Sequence, residues 1–146
     1  MKYEKYIFKV RLYENNHIDA HPYRYIEVYS GESLYELAEI ITEQFDFYFD
    51  HSFQFSDRTP YHKKTKELYE LFVDDPNVEH SEGAKSVVET KVKQVWKVIY
   101  KKMYFLFDYG DSSVFTVELK QKLKSINKYP ALIKSKGEPP EQYPNY

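Results

Sequence analysis

The feature that most constrains the fold is an apolar, aromatic run at residues 104–107 that stops at an acidic turn. The turn is Asp108-Tyr109-Gly110-Asp111, and a second apolar run follows it at residues 114–119. Continuous apolar runs are typical of buried strands, and Asp and Gly are common turn residues. The stretch therefore predicts a central hairpin, with a strand at residues 103–107 that is apolar on both faces.

Three further segments have the period-two alternation of β-strands. They lie at residues 6–13, 23–29 and 51–55. The first two are neighbours in the sequence and are separated by turn-forming residues, so we predict that they pair as a hairpin.

Helical spacing is clearest after Ser33. Ser33 and Glu36 have the spacing of a capping box, and the apolar residues that follow predict a helix ending near residue 46. Weaker apolar spacing predicts a second helix at residues 63–73 and a third from residue 86 or 90 to residue 100.

These elements predict an α+β fold, with a mainly antiparallel sheet of about five strands and two or three helices packed on it. The length of 146 residues suits one core, and no linker divides the chain, so residues 1–146 are predicted to form a single domain. Residues 129–146 are rich in proline, which excludes a regular helix or a central strand. We expect them to form an extended C-terminal segment packed on the body.

Composition limits the classes of site and the compartment. The chain has 16 Tyr and 10 Phe, which predicts many rings half-buried at the faces and rims of the sheet. It has no cysteine, which excludes disulfides and thiolate metal sites. The N-terminus lacks the apolar core of a signal peptide, and no apolar run approaches the roughly 20 residues that span a bilayer. We therefore expect a cytoplasmic protein with no membrane partner.

Charge is distributed unevenly although the net charge is only −2. Residues 27–82 hold 14 acids and 4 bases, a balance of −10, and residues 91–136 hold 11 bases and 3 acids, a balance of +8. This asymmetry indicates either a basic face for an anionic partner or attraction between the two parts of the folded chain.

Several short motifs occur in an order that resembles a known family. The most specific are Asp-Tyr-Gly-Asp at residues 108–111 and Gly-Glu-Pro-Pro-Glu at residues 137–141. With the alternating segment at 22–28, the helix after Ser33 and His-Ser-Phe at 51–53, they resemble the plasmid pRiA ORF-three-like family. This family is also called the insertion-element passenger TnpR-like proteins.

The resemblance implies a compact α+β domain of bacteria and archaea, often carried by mobile elements, and it implies no established activity. The family pattern has Trp and His where this chain has Ser113 and Phe115, and an acid where it has Gln142. These departures argue against catalysis at the Asp108 turn.

The acidic turn is the first candidate site. Asp108 and Asp111 are spaced to hold a divalent cation through oxygen ligands or to act as a general acid–base pair. Glu138 and Glu141 would complete an acidic cluster if the C-terminal segment folded back over the turn. The alternative is that the aspartates bond backbone N–H groups of their own turn. No cofactor is predicted, and Mg²⁺ is the candidate if the turn holds a cation.

Four other residues are candidates for binding. Arg24 lies between two tyrosines, where it would stack on a base, pair with a phosphate or pair with an acid across the sheet. Trp96 accompanies several lysines that could form a phosphate-facing stripe. Tyr109 lies within the acidic turn, and His51 is either a packing residue or a ligand-binding one.

The predicted function is a non-catalytic binding or accessory module associated with mobile elements, with a protein or a nucleic acid as its partner. The alternative is a divalent-metal-dependent hydrolase or nuclease that uses the Asp108 turn. Glycine-rich phosphate loops and the Gly-x-Ser-x-Gly elbow are missing from the sequence, which argues against nucleotide hydrolysis and serine acyl chemistry.

Overall fold

The computed structural model describes residues 2–15 and 19–142. These residues form one mixed sheet of eight strands together with two helices. The strands are β1 (Tyr3–Glu14), β2 (Tyr23–Tyr29), β3 (Phe53–Ser56), β4 (Leu68–Glu70), β5 (Lys85–Ser86), β6 (Lys102–Phe107), β7 (Ser113–Ser125) and β8 (Ala131–Lys136). The helices are α1 (Leu34–Gln44) and α2 (Val92–Val95).

The strands are ordered β5-β4-β3-β6-β7-β1-β2-β8 across the sheet. Every neighbouring pair is antiparallel except β4 and β5, which are parallel. Strand β6 lies between β3 and β7, and β1 pairs with β2. The structure therefore confirms the predicted central hairpin around residues 108–111 and the predicted β1–β2 hairpin.

The prediction of about five strands with two or three helices is wrong. Residues 63–73 form no helix, because residues 68–70 pair with β3 and Phe72 has a left-handed backbone with φ of 68°. Between residues 86 and 100 only the four residues of α2 are helical. Val88 and Ile99, two of the apolar residues at helical spacing in this predicted helix, are 49% and 38% exposed. The three strands that the prediction missed are β4, β5 and β8.

The core lies on one face of the sheet. Alternate residues of the long strands point to this face, as period-two geometry requires, and they form one cluster with the buried side of α1 and with Trp96. Trp96 packs on Phe8 and Phe55, with ring centroids 4.9 and 6.1 Å apart. Helix α1 and the segment that carries Trp96 cover the core face, so the opposite face of the sheet is the one available for contacts with other molecules.

Helix α1 begins with the predicted capping box. The Glu36 amide donates to Ser33 Oγ and the Ser33 amide donates to Glu36 Oε1, both at 3.1 Å. The helix ends at Gln44, with Phe45 as its C-cap, close to the predicted end. Neither helix of the described ranges is long and apolar enough to cross a membrane.

The C-terminal segment continues past the central sheet as an edge strand. β8 pairs with β2, and all six of its residues are exposed. Lysines in an edge strand oppose pairing with other chains, and β8 carries Lys134 and Lys136. Residues 143–146 of the predicted segment, and His17, lie outside the described residues. The single-domain assignment stays a prediction.

Candidate functional site

Asp108 shapes its own turn. Its backbone is left-handed, with φ of 66°, a region that Asp tolerates better than most residues. Its Oδ1 accepts hydrogen bonds from the amides of Gly110 and Asp111, at 3.1 and 3.2 Å. Its carbonyl accepts from the Ser112 amide. One carboxylate oxygen therefore has the turn-capping role that the sequence left as an alternative.

The other carboxylate oxygen of Asp108 faces His51. His51 Nε2 lies 3.5 Å from Asp108 Oδ2 and 3.5 Å from Asp50 Oδ1. The Asp108 amide donates to the Ser52 carbonyl at 2.9 Å, which fixes the turn beside the segment that carries the histidine. The structure thus brings together two candidates, His51 and Asp108, that the sequence singled out separately.

Gln142 joins the C-terminal segment to the same region. Its Oε1 accepts from the Tyr48 amide at 2.6 Å, and its Nε2 donates to the Tyr48 carbonyl at 2.8 Å and to Asp50 Oδ1 at 3.2 Å. A carboxylate has no proton to donate, so the family's acid could not make all three bonds. Gln142, which replaces the family's acid, therefore joins the C-terminal segment to Tyr48 and Asp50 in this chain.

The predicted acidic cluster gains no third metal ligand in the described part of the chain. Within residues 2–15 and 19–142, no group of three or more His, Asp or Glu side chains is arranged to hold a metal ion. Glu138 and Glu141 are exposed. The Mg²⁺ site at Asp108 and Asp111, and the hydrolase built on it, stay predictions.

Tyr109 reaches from the acidic turn to β3 and to a cleft beside Glu70. Its hydroxyl donates to the Phe53 carbonyl at 3.3 Å, and its ring lines an open cleft of about 370 Å³ with Glu70 and Ser81. Burial, and then the charge of Glu70, raises the pKa of the Tyr109 hydroxyl well above its ordinary value. The phenol is therefore a neutral hydrogen-bond donor at physiological pH.

Arg24 is buried on the core side of β2. It is 6% exposed, and its guanidinium donates to the carbonyls of Gln44, Tyr23 and Lys136 at 2.9 to 3.3 Å. The guanidinium also lies over the Phe45 ring, 4.8 Å from the centroid. Its hydrogen-bonding role is therefore to join α1, β2 and β8, and the partners are carbonyl oxygens rather than the acid expected across the sheet.

Trp96 is fully buried. Its Nε1 donates to the Val117 carbonyl at 3.1 Å, and its ring packs in the core. Lys101, one of the lysines that follow Trp96 in the sequence and were predicted to form a stripe with it, pairs with Glu67 at 2.9 Å. The structure therefore separates the Trp96 ring from the lysines that were predicted to surround it on a surface.

A different basic surface lies on the face of the sheet opposite the core. The register pairs Arg11 with Tyr23 and Tyr23 with Lys136, and in the next row it pairs Lys9 with Tyr25 and Tyr25 with Lys134. Each row therefore runs cation, tyrosine, cation across β1, β2 and β8. We call these six side chains the basic–tyrosine face; they are Lys9, Arg11, Tyr23, Tyr25, Lys134 and Lys136.

The cations of this face lie against its rings. Lys9 Nζ is 4.8 Å from the Tyr23 centroid and 6.0 Å from the Tyr25 centroid, and Lys134 Nζ is 5.8 Å from the Tyr25 centroid. The two rings are edge-to-face, 5.8 Å apart. Cation–π contacts of this kind hold the lysine side chains against the rings; Lys134 is exposed and Lys9 is half-buried.

One end of the basic–tyrosine face opens into a cleft of about 450 Å³. Arg11, His21 and Lys136 line it together with Glu138. His21 donates from Nδ1 to the Leu12 carbonyl at 3.0 Å, which fixes its ring. Glu138, predicted for the acidic cluster, therefore contributes to this basic cleft.

Part of this arrangement has a signal in the sequence. Alternation places Arg24 on the same face of β2 as Ile26 and Val28, which indicates an inward side chain. It places Tyr23 and Tyr25 on the other face. The contribution of β8 has no such signal, because pairing between residues more than 100 positions apart is set by the register of the folded sheet.

Known proteins resemble the chain in sequence and in fold. No curated protein matches it significantly. The fold matches the crystal structure of the protein of unknown function MM3350 from Methanosarcina mazei Go1, with a TM-score of 0.72 and 16% identity. That match covers 96% of this chain and 73% of the other. The sequence model for plasmid pRiA4b ORF-3-like proteins matches residues 4–143. With this match over nearly the whole chain, the protein belongs to the plasmid pRiA4b ORF-3-like family.

Proposed function

We propose that this protein is a non-catalytic binding module that holds single-stranded nucleic acid on the basic–tyrosine face. The observation that carries the proposal is the register of β1, β2 and β8, which sets two tyrosines between four cations on one open sheet surface. A protein partner is the alternative occupant. We also propose that the protein is associated with mobile elements, on the basis of the family resemblance. Its composition supports the further proposal that it is cytoplasmic.

Charge supports an anionic ligand. The four cations of the face lie on β1 and β8, on either side of β2, so a phosphate backbone laid across the three strands would meet several of them. Three acids of the described residues lie nearby: Glu118 opposite Lys9, Glu138 at the cleft and Glu27 two residues after Tyr25 on β2. Glu118 is paired with Lys120 at 3.1 Å, and Glu27 is paired with Lys5 at 3.5 Å. The face therefore keeps an excess of positive charge although the whole chain has a net charge of −2.

The two rings support an unpaired strand over a duplex. Bases of single strands stack on aromatic side chains, and each such contact contributes about 1–3 kcal/mol. Tyr23 and Tyr25 are partly exposed on the open face, and their positions two residues apart place both rings on it. Bases in a duplex are already stacked on each other, so they cannot use these rings in this way.

The test is a binding titration with labelled oligonucleotides. We expect fluorescence anisotropy to show micromolar binding of 20-nucleotide dT and rU at 50 mM salt, weakening as salt rises, with a slope of about 0.7 per phosphate contact. A duplex of the same length should bind at least fivefold more weakly. Absence of binding by both single strands at 100 μM protein, on the order of non-specific affinities, would overturn the proposal.

Paired variants separate this face from general charge. Lys134→Gln with Lys136→Gln should weaken binding and reduce the salt slope by about 1.4, since each lysine contacts about one phosphate. Lys63→Gln with Lys64→Gln changes the net charge equally at exposed positions elsewhere and should leave both quantities unchanged. Tyr23→Ala should weaken binding without changing the salt slope. Tyr61→Ala removes an 80% exposed ring elsewhere and should change neither the affinity nor the salt slope.

A further inference from the structure

Another cavity, separate from the basic–tyrosine face, lies between the start of α1 and the segment before β3. Its volume is about 330 Å³, at the small end of the roughly 300–1,000 Å³ of ligand pockets. Rings line most of it, from Tyr35, Phe49, Phe53 and Phe72, and Asp50 and His51 form its polar side. We call these six residues the aromatic cage.

Three of the rings form a corner. The Tyr35 and Phe49 centroids are 5.2 Å apart, those of Phe49 and Phe53 are 5.4 Å apart, and those of Tyr35 and Phe53 are 6.1 Å apart. Their planes are inclined to one another by 36° to 73°. Rings inclined in this way do not stack flat, and all three border the same open cavity, with Phe53 as its buried floor.

The fourth ring is held at the cavity by an unfavourable backbone conformation. Phe72 has φ of 68°, which is rare and unfavourable for a bulky residue. Its side chain is nevertheless 45% exposed, and Tyr35 is 37% exposed. Strain combined with exposed aromatic area is more typical of a binding surface than of a packing one.

The polar side of the aromatic cage is negative. Asp50 and Asp108 each place a carboxylate oxygen 3.5 Å from the single Nε2 of His51. The three side chains together carry a charge of −2 if the imidazole is neutral and −1 if it is protonated. An anionic ligand would therefore be repelled, and a cation would be attracted in either state of His51.

We propose that the aromatic cage binds an organic ammonium group, and a methylated one above all. The faces of aromatic rings attract cations, and a methylated ammonium also gains from burying its methyl groups against the rings. Asp50 supplies the opposite charge. The methylated ammonium belongs either to a small molecule or to a methylated lysine side chain.

The experiment titrates ¹⁵N-labelled protein and follows its amide resonances. Choline should shift the amides of residues 49–53 and 71–72 and saturate at millimolar concentrations. The neutral isostere 3,3-dimethylbutan-1-ol has the same shape without the charge and should bind at least fivefold more weakly. Equal binding of the two, or no shift with choline, would overturn the proposal.

A peptide carrying trimethyl-lysine distinguishes the two sources. If the aromatic cage reads a side chain, the peptide should bind at least tenfold more tightly than choline, and the unmethylated peptide should bind weakly. If the ligand is a small molecule, choline should bind as tightly as the peptide. Either outcome supports an ammonium site.

Variants test the ring and the charge separately. Phe72→Ala and Asp50→Asn should each weaken choline binding at least threefold, and Asp50→Asn keeps an oxygen that can accept from Gln142. Tyr129→Ala removes a 77% exposed ring outside the aromatic cage and should change nothing. Unchanged choline affinity in Asp50→Asn, with a native amide spectrum, would contradict the proposal even if Phe72→Ala failed to fold.

Discussion

Three backbone carbonyl oxygens hold the buried guanidinium of Arg24. They belong to the last turn of α1, to β2 itself and to the end of β8, so one side chain joins three elements. Cations near the end of a helix are also favoured by the helix dipole. Hydrogen bonds from a charged donor contribute about 1.5–3 kcal/mol each, which makes this position more important for stability than an exposed arginine.

We therefore expect Arg24→Met to lower the free energy of unfolding by about 3 kcal/mol, because three carbonyls lose a donor. Arg24→Lys should recover only part of the loss, since an ammonium cannot reproduce the planar fork. Urea denaturation followed by circular dichroism measures both. The matched control is Arg11→Met at an exposed position, which should change stability by less than about 0.5 kcal/mol. A loss confined to ligand binding would contradict this role.

Asp108 offers a test of whether the acidic turn needs a charge or an acceptor. Asp108→Asn keeps the Oδ1 acceptor and tolerates the left-handed backbone, so it should cost less than about 1 kcal/mol. Asp108→Ala loses both hydrogen bonds and tolerates that backbone poorly, so it should cost about 2 kcal/mol. Thermal or urea unfolding compares the two. Equal losses of stability in the two variants would show that the protein needs the Asp108 charge that faces His51, rather than the hydrogen-bond acceptor in the turn.

At the scale of elements, the start of α1 carries a coupled pair of acids. Burial and a hydrogen bond with Glu36 raise the pKa of Glu32 to about 7. The same hydrogen bond lowers the pKa of Glu36, while Lys128 and Lys91 partly offset the rise at Glu32. Because its pKa is raised on folding, Glu32 contributes stability below pH 4.5 that is lost as pH rises toward 7.

The melting temperature should therefore fall between pH 5 and pH 7.5, and Glu32→Gln should flatten that part of the profile. The lowered pKa of Glu36 changes stability only below pH 4.5, so Glu36 does not contribute to the slope measured between pH 5 and pH 7.5. Glu39→Gln, an exposed acid of the same helix, should keep the wild-type slope. Differential scanning calorimetry at several pH values checks this. An unchanged slope in Glu32→Gln would exclude Glu32 as its source.

Elements with regular local patterns are predictable from this sequence. β1, β2 and the capped helix α1 follow from alternation and from the spacing of Ser33 and Glu36. Residues 63–73 mislead because Leu68 and Leu71 have helical spacing, yet β4 gains its stability from pairing with β3, which is remote in sequence. The valines of residues 87–95 favour an extended backbone and leave only one helical turn.

For the whole molecule, Trp96 is a core residue on which both halves of the sheet pack. It contacts Phe8 of β1 and Phe55 of β3 and bonds β7 through Val117. Trp96→Phe leaves the Val117 carbonyl without this donor and creates a small cavity, so it should cost about 2–3 kcal/mol. Urea denaturation followed by circular dichroism measures this. Tyr100→Phe, at a 67% exposed ring, is the control and should cost little.

The candidate site is less predictable than the fold. Asp108, Tyr109 and His51 could be chosen as candidates because short motifs carry them, Asp-Tyr-Gly-Asp for the first two and His-Ser-Phe for His51. The basic–tyrosine face and the aromatic cage were not, because each is assembled from segments that only the folded sheet brings together. Alternation alone predicts that Arg24 points inward and that Tyr25 points outward. The position of Lys134 beside Tyr25 follows only from the β2–β8 register.

The pairing of β1 with β7 also has a consequence during protein synthesis. Tyr3 pairs with Ser125, so one side of β1 has no native partner until β7 has been made. A ribosome adding about 5–20 residues per second needs roughly 5–20 s to pass from the end of β2 to the end of β7. Throughout that interval the nascent hairpin exposes a long, apolar strand edge, which is a template for misassociation. Factors that shield nascent chains should therefore affect the yield of this protein more than its final stability.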